Sequence, residues 1–216
     1  MSSLIISTLC LAGAACSCKK NNDPDEPALS GGWTRASSPM ITSEVQAVYD
    51  KATAGMVGVG YAPVAYLASQ VVAGNNHLFL CKTSKVAPGA KEYYALVSFY
   101  EDLQGNVTIS DVRLSEAEGI QNATLDGGWT ASESPILTTD SIKALEKATK
   151  TLTGASYKPV ALLGTQVVAG TNYLMLCEVA PVVPNATSDY MIVKVYADLS
   201  GNAEVSETWE FKQPKD

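Results

Sequence analysis

Gln70-Val71-Val72-Ala73-Gly74 occurs a second time, unchanged, as Gln166-Val167-Val168-Ala169-Gly170. Each copy runs into a polar pair and then an apolar stretch: Asn75-Asn76-His77-Leu78-Phe79-Leu80-Cys81 in the first and Thr171-Asn172-Tyr173-Leu174-Met175-Leu176-Cys177 in the second. Apolar runs on both sides of an Ala-Gly-polar-Asn tip predict a β-hairpin, because Gly adopts positive φ without steric cost and Asn tolerates it. The valines are the anomaly. Beside a turn they stand in water and forgo the roughly 1.5–3 kcal/mol that burying each side chain would contribute. One such hairpin reads as the end of an ordinary strand. Two in matching surroundings point to a tip that something else covers.

Those surroundings match over most of the chain. Aligning residues 31–116 with 127–212, an offset of 96 with no gap, makes about 36 of 86 positions identical. Gly31-Gly32-Trp33-Thr34 corresponds to Gly127-Gly128-Trp129-Thr130, Ser38-Pro39 to Ser134-Pro135, Lys51-Ala52-Thr53 to Lys147-Ala148-Thr149, and Asp102-Leu103 to Asp198-Leu199. A solenoid unit is about 20–50 residues long, so this period predicts a duplicated small domain instead. The expected division is residues 31–115 and 127–216, joined by a polar linker at 116–126.

Within each unit one helix precedes a run of strands. Ser43 with Gln46 three residues on has the pattern of a capping box. Val45, Val48, Tyr49, Ala52 and Met56 then form one apolar stripe, repeated by Ala144, Leu145, Ala148 and Leu152. Gly58 and Gly154 are expected to stop the helices. Strands are expected at about 62–72, 76–83, 93–100 and 107–114. Short links between successive strands favour an antiparallel meander with the helix across its face.

The 216 residues carry a net charge of −7 with Lys and Arg scattered, which argues against nucleic acid as a partner. Three of the five cysteines lie at Cys10, Cys16 and Cys18, so the body holds too few for a disulfide framework. Leu4 to Ala15 is an apolar run too short to span a bilayer and ends in small residues, as an export signal does. Ala14-Ala15-Cys16 resembles a bacterial lipobox, which makes Cys16 the candidate lipidated residue. Cys18 is an alternative, and so is plain cleavage after Ala14. The expectation is a signal peptide over residues 1–18 and a flexible tether over 19–30. The protein is then exported, either as a cell-surface or outer-membrane lipoprotein or as a secreted one, with membrane contact only through the lipid.

Chemistry-bearing residues are few. His77 is the single histidine, and Tyr173 stands at the matching position. Cys81 and Cys177 are equivalent strand positions, best read as small buried hydrophobes. One histidine and two cysteines do not make a zinc site. No catalytic residue, metal or cofactor is expected, and the chain is read as a non-enzyme.

The hairpin motif, flanked by the glycine pair and the helix, resembles the cystatins, and most the stefin branch: protein inhibitors of papain-like cysteine proteases. The resemblance covers nearly everything after Gly31. It implies an α+β fold of two tandem cystatin-like domains, each with one helix packed across an antiparallel β-sheet. It also implies three protease-binding elements per domain. The trunk glycines match Gly31 and Gly32, and Gly127 and Gly128. The first hairpin matches Gln70, Val71, Val72, Ala73 and Gly74, and Gln166, Val167, Val168, Ala169 and Gly170. The second matches Leu103, Gln104 and Gly105, and Leu199, Ser200 and Gly201; it lacks the proline of stefins and the Pro-Trp of secreted cystatins. The implied function is a two-headed, reversible inhibitor, monomeric, blocking the cleft of a host cathepsin-type or bacterial enzyme. The alternative is a non-inhibitory surface binding or adhesion module.

Overall fold

The computed structural model describes residues 28–29, 32–85, 90–120 and 128–214. Ahead of the first repeat, within the expected tether, lies the short strand β1 (Ala28–Leu29), so the end of that segment is strand and not free chain. The first repeat contains the short strand β2 (Thr34–Arg35), helix α1 (Ser43–Thr53), and strands β3 (Val59–Val72), β4 (Gly74–Lys85), β5 (Tyr93–Glu101) and β6 (Val107–Glu118). The second contains β7 (Trp129–Ala131), α2 (Thr139–Thr149), β8 (Ala155–Val168), β9 (Gly170–Pro181), β10 (Thr187–Ala197) and β11 (Ala203–Lys212).

The two helices start alike. Thr42 and Thr138 are the N-caps, accepting from the amides of Val45 and Ser141, so the cap lies one residue before the expected Ser43. The reciprocal capping box forms only in α2, where the Ser141 side chain returns to the Thr138 amide. Both helices end well before Gly58 and Gly154, and Met56 and Leu152 beyond them are exposed.

The expected pair of tandem helix-on-sheet domains is not what forms. The strands make one continuous curled sheet, a half-barrel, in the order β2-β3-β4-β5-β6-β11-β10-β9-β8-β7. Its two halves join where β6 and β11 run antiparallel, Ser115 opposite Phe211 and Leu114 opposite Lys212. The short β1 lies parallel against the start of β10. Glu116 to Glu118, expected in the linker, complete β6, and Ala117 and Ile120 beside them are buried.

The reason lies in the strands themselves. A sheet with one wet face alternates apolar and polar residues, whereas a sheet covered on both faces carries continuous apolar runs. Leu78-Phe79-Leu80-Cys81 and Tyr94 to Val97 are buried throughout. Phe79, Cys81, Ala95, Val97 and Phe99 face Val48 of α1, and Met175, Cys177, Val193 and Val195 face Ala144, Leu145 and Ala148 of α2. Residues of the opposite parity, Leu78, Leu80, Tyr94 and Leu96, meet Leu174, Leu176, Tyr190 and Ile192 from the other repeat in a shared cluster of sixteen buried residues. That cluster is larger than either helix-side cluster, which have eight and six. One helix covers one face; the second repeat covers the other.

Irregularities in the long strands let the sheet curl, since a bulge bends its strand and increases local twist. β3 shifts register around Pro63 and Tyr66, and β8 around Pro159 and Leu162. The amides of Tyr66 and Leu162, beside these shifts, donate to the backbone carbonyls of Pro39 and Pro135 at 3.0 Å, which ties the segment ahead of each helix to the bulged strand.

The repeats diverge where they meet. Arg35 of β2 pairs with the buried carboxylate of Glu178 on β9, its Nε donating to Oε2 at 2.6 Å, and Ser188 donates to the same carboxylate. The equivalent positions hold Ala131 and Lys82. Gly164 replaces Ala68 because a Cβ there would lie 2.4 Å from Ile120 Cδ1 and 2.5 Å from the Thr130 carbonyl.

Candidate functional site: the hairpin ends

The first hairpin turns on Ala73 alone. Val72 pairs with Gly74, so Asn75 and Asn76, expected at the turn, already belong to β4. Such a tight reversal requires the left-handed backbone of Gly74, at φ +122°, and of Gly170, at φ +130°. Space also excludes a side chain. A Cβ on Gly74 would sit 2.3 Å from the Glu101 carbonyl, and one on Gly170 would sit 2.2 Å from that of Ala197. The backbone of the first hairpin therefore presses on the strand leading to the second.

A tyrosine secures that contact in each repeat. The Tyr100 hydroxyl donates to the Ala73 carbonyl at 2.5 Å, and Tyr196 does the same to Ala169 at 2.5 Å. Across the hairpin stem, Asn76 Nδ2 donates to Gln70 Oε1 at 2.6 Å and Asn172 Nδ2 to Gln166 Oε1 at 2.8 Å. The glutamine of the motif thus braces its own stem.

The second hairpin is built on an aspartate. Asp102 Oδ1 accepts from the amides of Gln104 and Asn106 at 2.9 and 2.8 Å, and Oδ2 from Asn106 Nδ2 at 2.8 Å. Asp198 holds Asn202 in the same way. These bonds, those from Asn106 and Asn202 foremost, hold both carboxyls below the usual aspartate range. From the helices, Lys51 Nζ reaches the Gly105 carbonyl at 3.3 Å and Lys147 Nζ reaches that of Gly201. Leu103 and Leu199 are left at the tips.

Strand order brings three elements to one end of each half. β4 pairs with β5, Asn75 opposite Glu101, which sets the two hairpins side by side. β2 flanks β3 with Thr34 opposite Ser69, and that register carries Gly32 toward Val71. In the second half Trp129 opposes Gln166, which carries Gly128 toward Val167. Gly31 and Gly127 lie outside the described residues, as do Cys16 and the rest of the expected signal peptide. Trp33 and Trp129 pack against the shared core, anchoring the trunk. The row of tips is apolar and open: Val71 is 83% exposed and Leu103 78%, Val167 71% and Leu199 86%.

His77 lies just inside the first hairpin. Its Nδ1 is 3.1 Å from the Tyr66 hydroxyl and its Nε2 3.6 Å from the Glu101 carboxylate. Burial lowers its pKa, against the opposing pull of Glu101. The two body cysteines are free and buried on the helix-facing side of the sheet. Burial pushes Cys177 up to about 12 and Cys81 higher still. A thiol reagent is therefore expected to spare both in the folded chain and to label both in denaturant, as read by mass spectrometry of their peptides. Rapid native labelling would contradict this packing.

The tips were legible in the sequence; the braces were not. Tyr100 and Tyr196 are identical at the repeat offset, as are Lys51 and Lys147, and that identity was the available signal. No family model matches the chain, and no curated protein matches it.

Proposed function

We propose that the chain is a reversible, two-headed protein inhibitor of papain-like cysteine proteases, each head a wedge of trunk glycine and two hairpins that enters the active-site cleft. The observation that carries the reading is the coincidence, in both halves, of an exposed Gln-Val-Val-Ala-Gly tip with an exposed leucine loop beside it and a glycine trunk aligned on it. The resemblance to cystatins rests on these ends and not on the architecture, which departs from two separate domains.

Small apolar side chains on a rigid tip suit a narrow cleft that is water-filled when empty. The braces from Tyr100, Asp102 and Lys51 shape the tips before any partner arrives, so little conformational entropy is lost on binding. The wedge catalyses nothing; it occupies the place of a substrate. In this reading the N-terminal segment serves export, which sets the protein against proteases outside the cell.

Inhibition of papain by the chain lacking residues 1–18 tests the proposal. Reversible, competitive inhibition is expected. Binding to other surface proteins with no effect on papain-like enzymes would favour the adhesion alternative. The braces make a subsidiary prediction. Tyr100→Phe with Tyr196→Phe removes one hydrogen bond per tip, worth about 1 kcal/mol. The inhibition constant should weaken about fivefold with the melting temperature nearly unchanged, and an unaltered constant would show that the latch does not position the tip.

A further inference from the structure

We propose that the molecule is a rigid cross-bridge whose two wedges point in opposite directions, so that one chain holds two cleft-bearing partners at once. This rests on the function proposed above and goes beyond it by fixing how the heads are related.

Direction follows from the register. β6 runs away from the first wedge and β11 away from the second, and they pair antiparallel at their far ends. The wedges therefore lie at opposite ends of the sheet. Arg113 of β6 meets Asp189 of β10 at 2.7 Å. Arg113 is six residues from the first wedge end of its strand and Asp189 eight from the second wedge end of its own. At about 3.3 Å per residue the wedges stand on the order of 40–50 Å apart.

Rigidity follows from what fills the join. The shared cluster draws Leu67, Leu80 and Leu96 from one repeat and Leu163, Leu176 and Ile192 from the other. Arg35–Glu178, Arg113–Asp189 and Gln213–Asp111 cross the same seam. The Gly119 amide donates to the Glu92 carbonyl at 2.8 Å, and Ile120 is buried, which pins the chain as it leaves β6. A flexible linker would let two bound proteases swing into each other. A continuous sheet holds them apart, and it offers its second wedge to a second enzyme only on the far side. The partners that suit this geometry are soluble monomeric enzymes, or enzymes displayed in many copies on a surface, which the chain would tie together.

A sandwich assay with catalytically blocked papain tests this. Papain is fixed to a surface, the chain is added, and labelled blocked papain follows. The expected result is capture of about one labelled papain per bound chain. Val71→Asp and Val167→Asp singly should each still bind the surface and capture none. If the parent chain binds fixed papain and captures no second molecule, yet takes up two papain molecules in solution, the opposed, rigid arrangement is wrong while the two-headed inhibitor stands. If the chain fails to bind fixed papain at all, both ideas fall.

Discussion

Leu80→Ala, a change in the first repeat, is expected to destabilise the second repeat as much as its own. Leu80 is fully buried in the cluster that both repeats share, so its truncation leaves a cavity between them. Such losses cost about 2–5 kcal/mol, and with urea slopes of about 1–3 kcal/mol per molar the midpoint should fall by about 1 M or more. The test uses the tryptophans. With Trp33 replaced by Phe, the remaining fluorescence comes from Trp129 and Trp209, both in the second repeat. Their transition should shift together with the loss of overall secondary structure, in a single cooperative step. Two independent domains would leave the Trp129 and Trp209 signal where it was.

The second large effect is at the tips. Val71→Asp with Val167→Asp is expected to weaken inhibition of papain at least about a hundredfold, since carrying an unpaired carboxylate into a desolvated cleft costs several kcal/mol and 1.4 kcal/mol is already tenfold. These positions are the clean probes because both side chains are exposed and free of the fold's packing. The glycines are not clean. Any side chain on Gly74 or Gly170 meets a backbone carbonyl at little over 2 Å, so even Gly74→Ala must spread the first hairpin from its neighbour. Gly74→Ala should weaken that head with the melting temperature changed by little, because the distortion is confined to the end of the sheet. Inhibition by the valine double variant equal to the parent's would remove the tips from the contact surface.

The tips were readable because an exact five-residue repeat leaves little freedom: a tight hairpin needs the glycine, and Val71 and Val167 stand largely in solvent instead of in the core. The strands were readable from their apolar runs, and their antiparallel order from the short links between them. What the sequence did not declare was the cover on the second face. Leu80 and Cys81 are equally apolar neighbours, and only the structure shows that one faces a helix and the other faces the second repeat. The signal was present in two forms. The runs at 78–81 and 94–97 do not alternate, as a strand with one wet face should. At the seam itself the repeats carry complementary, unlike residues, Arg35 against Ala131, Lys82 against Glu178 and Ala68 against Gly164, a pattern whose meaning shows only once Arg35 is seen to meet Glu178. The helix caps show the same lesson on a small scale: Thr42 and Thr138 match at the repeat offset, while Ser43 and Thr139 do not.

The most direct test of the wedge is calorimetric titration of the chain with catalytically blocked papain. Two papain molecules per chain are expected, falling to one in either Val71→Asp or Val167→Asp and to none in the double variant. A double variant that binds papain with the parent's stoichiometry and affinity would contradict it.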